Sequence, residues 1–191
     1  ALQRNDYDLA FKKYYAAAKV TRDSRLAKKA TRVTLFSKND AQTFKSVKLW
    51  SQIQPDNIDV QQIYASSLIS QKQDQQAIDH LKKILQLSDD VDSGLKRVVS
   101  IINTIDEKQR AQQIFNQATI DYQDNNLVIL YQAKIAYKFV DYAKTAQYLD
   151  KLLALEPDNQ EALIVKVELL KKQKQDQQAI EILQKLVHQS A

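Results

Sequence analysis

The chain contains no Cys, no Met, one Gly and two Pro among its 191 residues. The absence of Cys excludes disulfides, thiolate catalysis and cysteine-ligated metal sites. The scarcity of Gly and Pro, together with abundant Ala, Leu, Gln, Lys and Asp, favours a largely helical fold.

Long apolar runs are also missing. Charged residues or glutamines interrupt every stretch before it reaches the roughly 18 apolar residues that a membrane-spanning helix needs. Because no Met stands at position 1, we expect the chain to be a processed product or a fragment. Any signal peptide or lipid anchor would then precede Ala1.

The positive charge is concentrated at one end of the chain. Residues 1–50 hold 12 Lys or Arg and four Asp, a balance of +8, whereas the remaining residues have a balance of −3. The basic segment therefore predicts either an acidic partner or nucleic acid.

Two copied stretches reveal an internal period. QKQDQQAI occurs at 71–78 and 173–180, and PDN occurs at 55–57 and 157–159. Both separations are 102 residues, which is three times 34. Three series of like residues recur at intervals of 34, with a first interval of 33. The small series is Ala10, Thr43, Ala77, Ala111, Thr145, Ala179, and the two apolar series are Tyr14, Val47, Leu81, Phe115, Leu149, Leu183 and Ala17, Trp50, Ile84, Ala118, Leu152, Leu186.

These series resemble the tetratricopeptide repeat, in which a small residue, a bulky apolar residue and a boundary Pro recur every 34 residues. The resemblance covers essentially the whole chain. It implies an all-α fold, a right-handed superhelical solenoid of about five and a half antiparallel helix pairs. We expect a single array over 1–191 that starts at the second helix of a truncated repeat. The repeat starts are predicted near residues 24, 58, 92, 126 and 160.

The register predicts the helix boundaries. First helices are predicted at 24–36, 58–70, 92–104, 126–138 and 160–172. Second helices are predicted at 6–21, 40–53, 74–87, 107–121, 142–154 and 176–188. The truncated opening repeat would leave the apolar face of residues 7–18 without its usual neighbour, so we expect upstream sequence or a second copy of the chain to cover it. A homo-oligomer through this face is therefore one open alternative.

The resemblance also predicts a partner-binding groove. In tetratricopeptide repeats the first helix of each unit lines the concave face. The residues at the groove positions are Arg25, Lys28, Lys29, Arg32, Phe36, Gln62, Ile63, Ser66, Lys96, Arg97, Tyr131, Lys134 and Tyr137. The cations at the first end suit a carboxylate-bearing peptide, because Arg can engage a carboxylate through two hydrogen bonds. The alternative is a solvated face whose Lys and Arg stems cover the core.

Residues 4–57 carry a narrower resemblance. They look like the opening units of large tetratricopeptide lipoproteins of Gram-negative bacteria, similar to the adaptor of a periplasmic carboxy-terminal processing protease. The likeness rests on Asn5-Asp6-Tyr7, Leu9-Ala10, Thr21-Arg22-Asp23, Arg25-Leu26-Ala27, Ala30-Thr31-Arg32, Leu35-Phe36 and Leu49-Trp50. It implies a location at the periplasmic face of the outer membrane, with a cytoplasmic location as the alternative.

Residues for catalysis are scarce. The two histidines, His80 and His188, are predicted on second helices of different units, and no phosphate-binding loop or paired-histidine zinc motif is present. The acidic stretch 89–94 lacks the Glu of a calcium loop, because Ile101 stands at the twelfth position from Asp90; we expect Asp92 or Ser93 to cap a helix instead. We predict no metal, no cofactor and no small-molecule substrate. A non-catalytic protein-binding scaffold, which could serve an envelope protease or assembly machine, is favoured over nucleic-acid binding, and both over an enzyme.

Overall fold

The computed structural model describes the backbone of residues 4–189 and the side chains of residues 6–188. Over this range the chain forms eleven α-helices, one short 3-10 helix at Ile120–Tyr122 and no strand, which confirms the all-α prediction. The helices are α1 (Arg4–Thr21), α2 (Ser24–Phe36), α3 (Asp40–Ile53), α4 (Ile58–Ser70), α5 (Asp74–Leu87), α6 (Val91–Ile102), α7 (Lys108–Ala118), α8 (Asn126–Lys138), α9 (Tyr142–Leu155), α10 (Gln160–Lys172) and α11 (Asp176–Gln189).

Helices α2, α3, α4, α5, α8 and α10 have the predicted bounds, whereas α6 and α7 are shorter than predicted. Helix α6 ends at Ile102 rather than 104, and α7 ends at Ala118 rather than 121. At the end of α7 the N–H and the hydroxyl of Thr119 both donate to the carbonyl of Phe115, at 3.0 and 2.9 Å. The Asp- and Asn-rich segment that follows then continues as a 3-10 turn.

The turn from a first to a second helix has one recurring geometry. Lys38, Lys72, Val140 and Lys174 each have a left-handed backbone, with φ between 52° and 60°. After Lys72, for example, the N–H of Gln73 donates to the carbonyl of Leu68 at 2.9 Å, which closes the end of the preceding helix. The copied octapeptide thus encodes this turn. Glycine, the residue usually favoured there, occupies none of these four positions.

The turn from a second to a first helix is closed by Asn. The side-chain oxygen of Asn57 accepts from the N–H groups of Asp59 and Val60, and Asn159 accepts from the N–H of Ala162. The PDN motif therefore works as a helix start, as predicted. One correction concerns the acidic stretch 89–94, where Asp90 rather than Asp92 or Ser93 caps α6.

Contacts divide the chain into two compact units, 1–104 and 105–191, and each is described by itself. In unit 1 the helices α1 to α6 each pack on the next along the chain, and α4 also contacts α6. In unit 2 the same holds for α7 to α11, and α8 also contacts α10. Successive first helices therefore lie side by side at α4 and α6 in unit 1 and at α8 and α10 in unit 2. The single array over 1–191 stays a prediction.

The periodic series supply the core of each unit. Val47 and Leu81 in unit 1, and Phe115 and Leu149 in unit 2, are at most 1% exposed. At the far end of unit 2 the series leaves the core, because Leu183 on α11 is 46% exposed. None of the helices described is long and apolar enough to cross a membrane.

Candidate protein-binding faces

Helix α2 presents the strongest candidate face. The side of α2 that faces the core buries Ala27, Ala30, Thr31 and Thr34, while the groove residues predicted on α2 are all exposed. The exposed set is Arg25, Lys28, Lys29, Arg32, Leu35 and Phe36. The helical spacing of small residues therefore turns the cations outward on one side of the helix.

Arg25 is already paired. Its guanidinium lies 2.8 Å from the carboxylate of Asp23, which also caps α2 by accepting from the N–H of Arg25. These hydrogen bonds to Arg25 hold the pKa of the Asp23 carboxyl below its ordinary value. Arg25 is thus partly neutralised by its own turn.

The neighbouring cations have no acidic partner among the described side chains. The ammonium of Lys28 lies 6.0 Å from the ring centroid of Trp50, and that of Lys29 lies 5.6 Å from the ring centroid of Tyr14. Among the side chains of residues 6–188, no carboxylate lies within 4.0 Å of Lys28, Lys29 or Arg32. An aromatic ring orients a cation without neutralising it. Three positive charges are therefore uncompensated on one helix face.

An open pocket lies beside the end of α2, where Leu35 lines it. It has a volume of about 490 Å³ and extends along α4 from Asp59 to Ser70. Leu35 from α2 and Ile63 and Ser66 from α4 are among its lining residues. Beside it, Phe36 is 70% exposed. The face thus combines cations with apolar side chains.

The predicted groove cations of α6 are engaged. Arg97 donates to the carboxylate of Asp59 at 3.1 Å and to the side-chain oxygen of Gln62 at 2.8 Å. Gln62 in turn donates to the hydroxyl of Ser100 at 3.3 Å. Lys96 pairs with Asp92 on its own helix. These contacts join α4 to α6, so Arg97 acts mainly as a bridge between helices.

In unit 2 the predicted groove residues have separate roles. Tyr131 is only 7% exposed, so the prediction that it offers a free groove surface needs correction. Lys134 lies 5.1 Å from the centroid of the Tyr131 ring and forms an ion pair with Glu161. Tyr137 is half-buried and packs near Tyr142 at a centroid distance of 6.0 Å. Burial raises the pKa of Tyr137, and the charge of Glu168 raises it further.

Sequence reasoning missed a polar contact in the core of unit 1. Gln61 occupies the place where tetratricopeptide repeats often have Trp, is 1% exposed, and meets His80 of α5. His80 is therefore half-buried against a core residue, whereas His188 is exposed. The available signal was Gln61 itself, because a polar residue at a core position of the repeat indicates a buried hydrogen-bond partner. Within the described residues, no group of three or more His, Cys, Asp and Glu could hold a metal ion.

Sequence comparison supports the repeat at one end of the chain. Residues 137–191 match a tetratricopeptide repeat family model. A tetratricopeptide repeat-containing protein of Pseudomonas aeruginosa is 24% identical over 131 residues, which is 69% of this chain and 22% of that protein. The chain therefore spans about a fifth of the relative that it matches.

Solved structures give the same fold. A tetratricopeptide repeat protein from Parabacteroides merdae is 14% identical with a TM-score of 0.50, over 96% of this chain and 73% of that chain. YrrB, a tetratricopeptide protein with an unusual peptide-binding site, is 16% identical with a TM-score of 0.46, over 85% of this chain and 84% of that chain. With YrrB the chain therefore shares the helix-pair arrangement only loosely. The prediction of a tetratricopeptide repeat protein is thus supported by the family match over residues 137–191 and by the helix-pair fold.

Proposed function

We propose that the chain is a non-catalytic scaffold whose unit 1 holds a carboxylate-bearing segment of a partner protein on α2. The observation that carries this proposal is the set of three exposed cations, Lys28, Lys29 and Arg32, with no carboxylate within 4.0 Å among the described side chains. A carboxylate placed there would gain charge-assisted hydrogen bonds.

Cations on the other first helices fall into two groups, because Lys171 and Lys172 on α10 also have no carboxylate within 4.0 Å among the described side chains, whereas three others are paired. Arg97, Lys134 and Lys166, which also lie on first helices, each have a carboxylate within 3.1 Å. The cations of α2 differ from them in this respect. A solvated face accounts for their exposure but not for their clustering beside apolar surface.

The apolar surface at the end of α2 indicates which side chain should follow the carboxylates in the partner segment. Phe36 lies four residues beyond Arg32, which places the two side chains about 6 Å apart along α2. Leu35 is 48% exposed and lines the pocket on α4. The segment best suited to this face carries acidic residues followed by a large apolar one.

The test uses a fluorescein-labelled peptide with the sequence Asp-Glu-Asp-Ser-Leu-Phe and its matched Asn-Gln-Asn-Ser-Leu-Phe control. We expect fluorescence anisotropy to show binding of the acidic peptide alone. The variant K28A/K29A/R32A should weaken binding by about threefold to about 150-fold, since each of the three exposed pairs contributes about 0.2–1 kcal/mol.

A matched variant controls for net charge. K19A/K45A/K48A removes three exposed cations that also have no carboxylate within 4.0 Å among the described residues, but from α1 and α3. It should bind the acidic peptide nearly as tightly as the unchanged chain. Equal losses in both triple variants would show a general charge effect and would overturn the proposed face.

Nucleic acid is the competing ligand for the same cations. Binding of single-stranded RNA depends steeply on salt, because each phosphate contact releases counterions. A titration with single-stranded RNA at low salt therefore separates the alternatives. Tighter binding of RNA than of the acidic peptide, lost in K28A/K29A/R32A, would favour the nucleic-acid function.

For the partner, we propose a protein of the bacterial envelope, such as a periplasmic carboxy-terminal processing protease. The support is the resemblance of residues 4–57 to outer-membrane tetratricopeptide lipoproteins. The natural protein should then be detected by antibody in the outer-membrane fraction, and such a protease should co-purify with it. Recovery in the cytosolic fraction without a protease would contradict the adaptor role.

A further inference from the structure

A second open pocket lies in unit 2 between α8 and α10, with a volume of about 360 Å³. Six residues line it: Lys134 and Tyr137 from α8, and Glu161, Ile164, Val165 and Glu168 from α10. Its character is mixed, because aromatic and aliphatic side chains lie between two carboxylates. Both helices belong to unit 2, so the pocket is complete within that unit.

The two carboxylates of the pocket differ. Glu161 forms an ion pair with Lys134, and its charge is therefore compensated. Glu168 is exposed, and no Lys, Arg or His nitrogen of the described side chains lies within 4.0 Å of it. Glu168 is near enough to Tyr137 for its charge to act on the phenol. An uncompensated negative charge thus lies beside an aromatic ring.

The apolar part of the pocket is unusually exposed. Ile164 is 50% exposed, although it lies in the middle of α10 and beside the buried Val165. An aliphatic side chain that covered Ile164 and contacted Tyr137 would remove apolar surface from water, which is favourable at about 25 cal/mol per Å².

Helix geometry fixes the spacing between the two features. Ile164 and Glu168 are four residues apart on α10, a rise of about 6 Å. In an extended peptide, residues i and i+2 point to the same side and lie about 6.6 Å apart. A cation at one position and an aliphatic side chain two positions away would therefore meet Glu168 and Ile164 together.

We infer that the α8–α10 pocket binds a partner segment in which a Lys or Arg lies two residues from a large aliphatic residue. The cation would pair with Glu168 and lie against the Tyr137 ring, which attracts positive charge. The aliphatic side chain would cover Ile164 and Val165. This pocket would bind a cation, whereas the face on α2 would bind a carboxylate. All residues of the pocket belong to unit 2, so the inference does not depend on the site proposed for unit 1.

The probe is a fluorescein-labelled peptide with the sequence Gly-Arg-Ser-Leu-Gly, and its controls are Gly-Gln-Ser-Leu-Gly and Gly-Arg-Ser-Ser-Gly. We expect the full chain to bind the first peptide about two- to fivefold more tightly than the Gln control, which lacks the ion pair. It should bind the first peptide at least about fivefold more tightly than the Ser control, which lacks the aliphatic contact. Equal binding of all three peptides, or no binding of the first, would overturn the inference.

Variants assign the two contacts to the pocket. E168Q should weaken binding of Gly-Arg-Ser-Leu-Gly about two- to fivefold, the range of exposed ion pairs, and should leave binding of the Gln peptide unchanged. I164S should weaken both Leu peptides by about fivefold. Because Glu168 and Ile164 are both exposed, neither change should disturb folding, which circular dichroism would verify.

The matched control is E181Q, the same substitution at an exposed residue of α11 outside the pocket. It should leave binding unchanged, as should K28A/K29A/R32A in unit 1. An equal loss in E181Q and E168Q would overturn the assignment. Since the acidic peptide reports on unit 1 and the Arg peptide on unit 2, failure of one site is distinguishable from failure of the other.

Discussion

The Nδ1 atom of His80 on α5 lies 2.5 Å from the side-chain oxygen of Gln61 on α4. The amide oxygen can only accept, so Nδ1 carries the hydrogen in this contact. The amide nitrogen of Gln61 donates to the carbonyl of Pro55 at 2.6 Å, and the imidazole packs against Tyr64 at a centroid distance of 4.6 Å. One polar pair thus ties α4, α5 and the PDN turn together.

This pair predicts a pH dependence of stability. Burial lowers the pKa of His80 below its ordinary value of 6.5; Asp79 opposes the shift and Lys83 adds to it. The unfolded chain then binds more protons than the folded one at mildly acidic pH, so the free energy of unfolding should fall as pH falls through about 6.5. Urea unfolding from about pH 8 to about pH 5.5 would measure it.

The substitution H80Q should flatten that pH dependence, because it removes the titrating group. H188Q, at the exposed end of α11, is the matched control and should leave the dependence as it is. An unchanged slope in H80Q would show that other groups cause the loss of stability.

The left-handed turn before α9 predicts a stabilising glycine. Val140 has φ of 59°, where a β-branched side chain is strained, and it is 64% exposed. V140G should raise the free energy of unfolding by about 1 kcal/mol. As a control, A16G places glycine at an exposed position in the middle of α1 and should cost about 1 kcal/mol. A loss of stability in both variants would contradict the strain at Val140.

Asn39 and Gln73 occupy the same N-cap position before α3 and α5, so exchanging Asn and Gln between them should change stability in opposite directions. The side chain of Asn39 caps α3 by accepting from the N–H of Gln42 at 3.1 Å, whereas Gln73 makes no side-chain cap bond to α5. N39Q should therefore cost about 1 kcal/mol, and Q73N should gain up to about 1 kcal/mol. The double variant should lie near the unchanged chain in thermal unfolding. Loss of stability in Q73N would show that the longer Gln side chain packs better there.

The α8–α10 pocket predicts a measurable effect on Tyr137. Burial is the main reason that the pKa of Tyr137 is raised, and Glu168 is the second. In E168Q the pKa of Tyr137 should therefore fall while staying above its ordinary value of 10.0. NMR of tyrosine-labelled protein, with Y137F to assign the signal, would follow the titration. A pKa unchanged in E168Q would place Glu168 too far from the phenol.

The helix boundaries were predictable from the sequence because they depend on local chemistry. The signals that set the boundaries are small residues at one repeat position, Asn at the PDN turns and the copied octapeptide. Each of them determines the backbone of residues only a few positions away. The end of α7 was predicted wrongly at 121, because residues 120–122 form a 3-10 turn and the repeat register does not distinguish such a turn from a last turn of α-helix.

Charge pairing could not be predicted in the same way. Arg97 and Asp59 are 38 residues apart, and their contact depends on how α4 and α6 approach each other. The burial of Tyr131 and the open pocket beside Ile164 likewise follow from side-chain packing between helices. The repeat register identified which residues lie on first helices. Which of those residues are paired and which are free to meet a partner depends on interatomic distances that the register does not contain.

The turn encoded by QKQDQQAI has a consequence for protein engineering. The left-handed turn recurs at Lys38, Lys72, Val140 and Lys174 with different flanking residues, so the turn itself does not require the octapeptide sequence. Grafted over residues 139–146 in place of FVDYAKTA, it would exchange Val140 for Lys, but it would also remove the Asp141 cap of α9 and the contact of Tyr142 with Tyr137. Redesign of this connector would therefore have to keep Tyr142, because its ring packs beside a residue that lines the α8–α10 pocket.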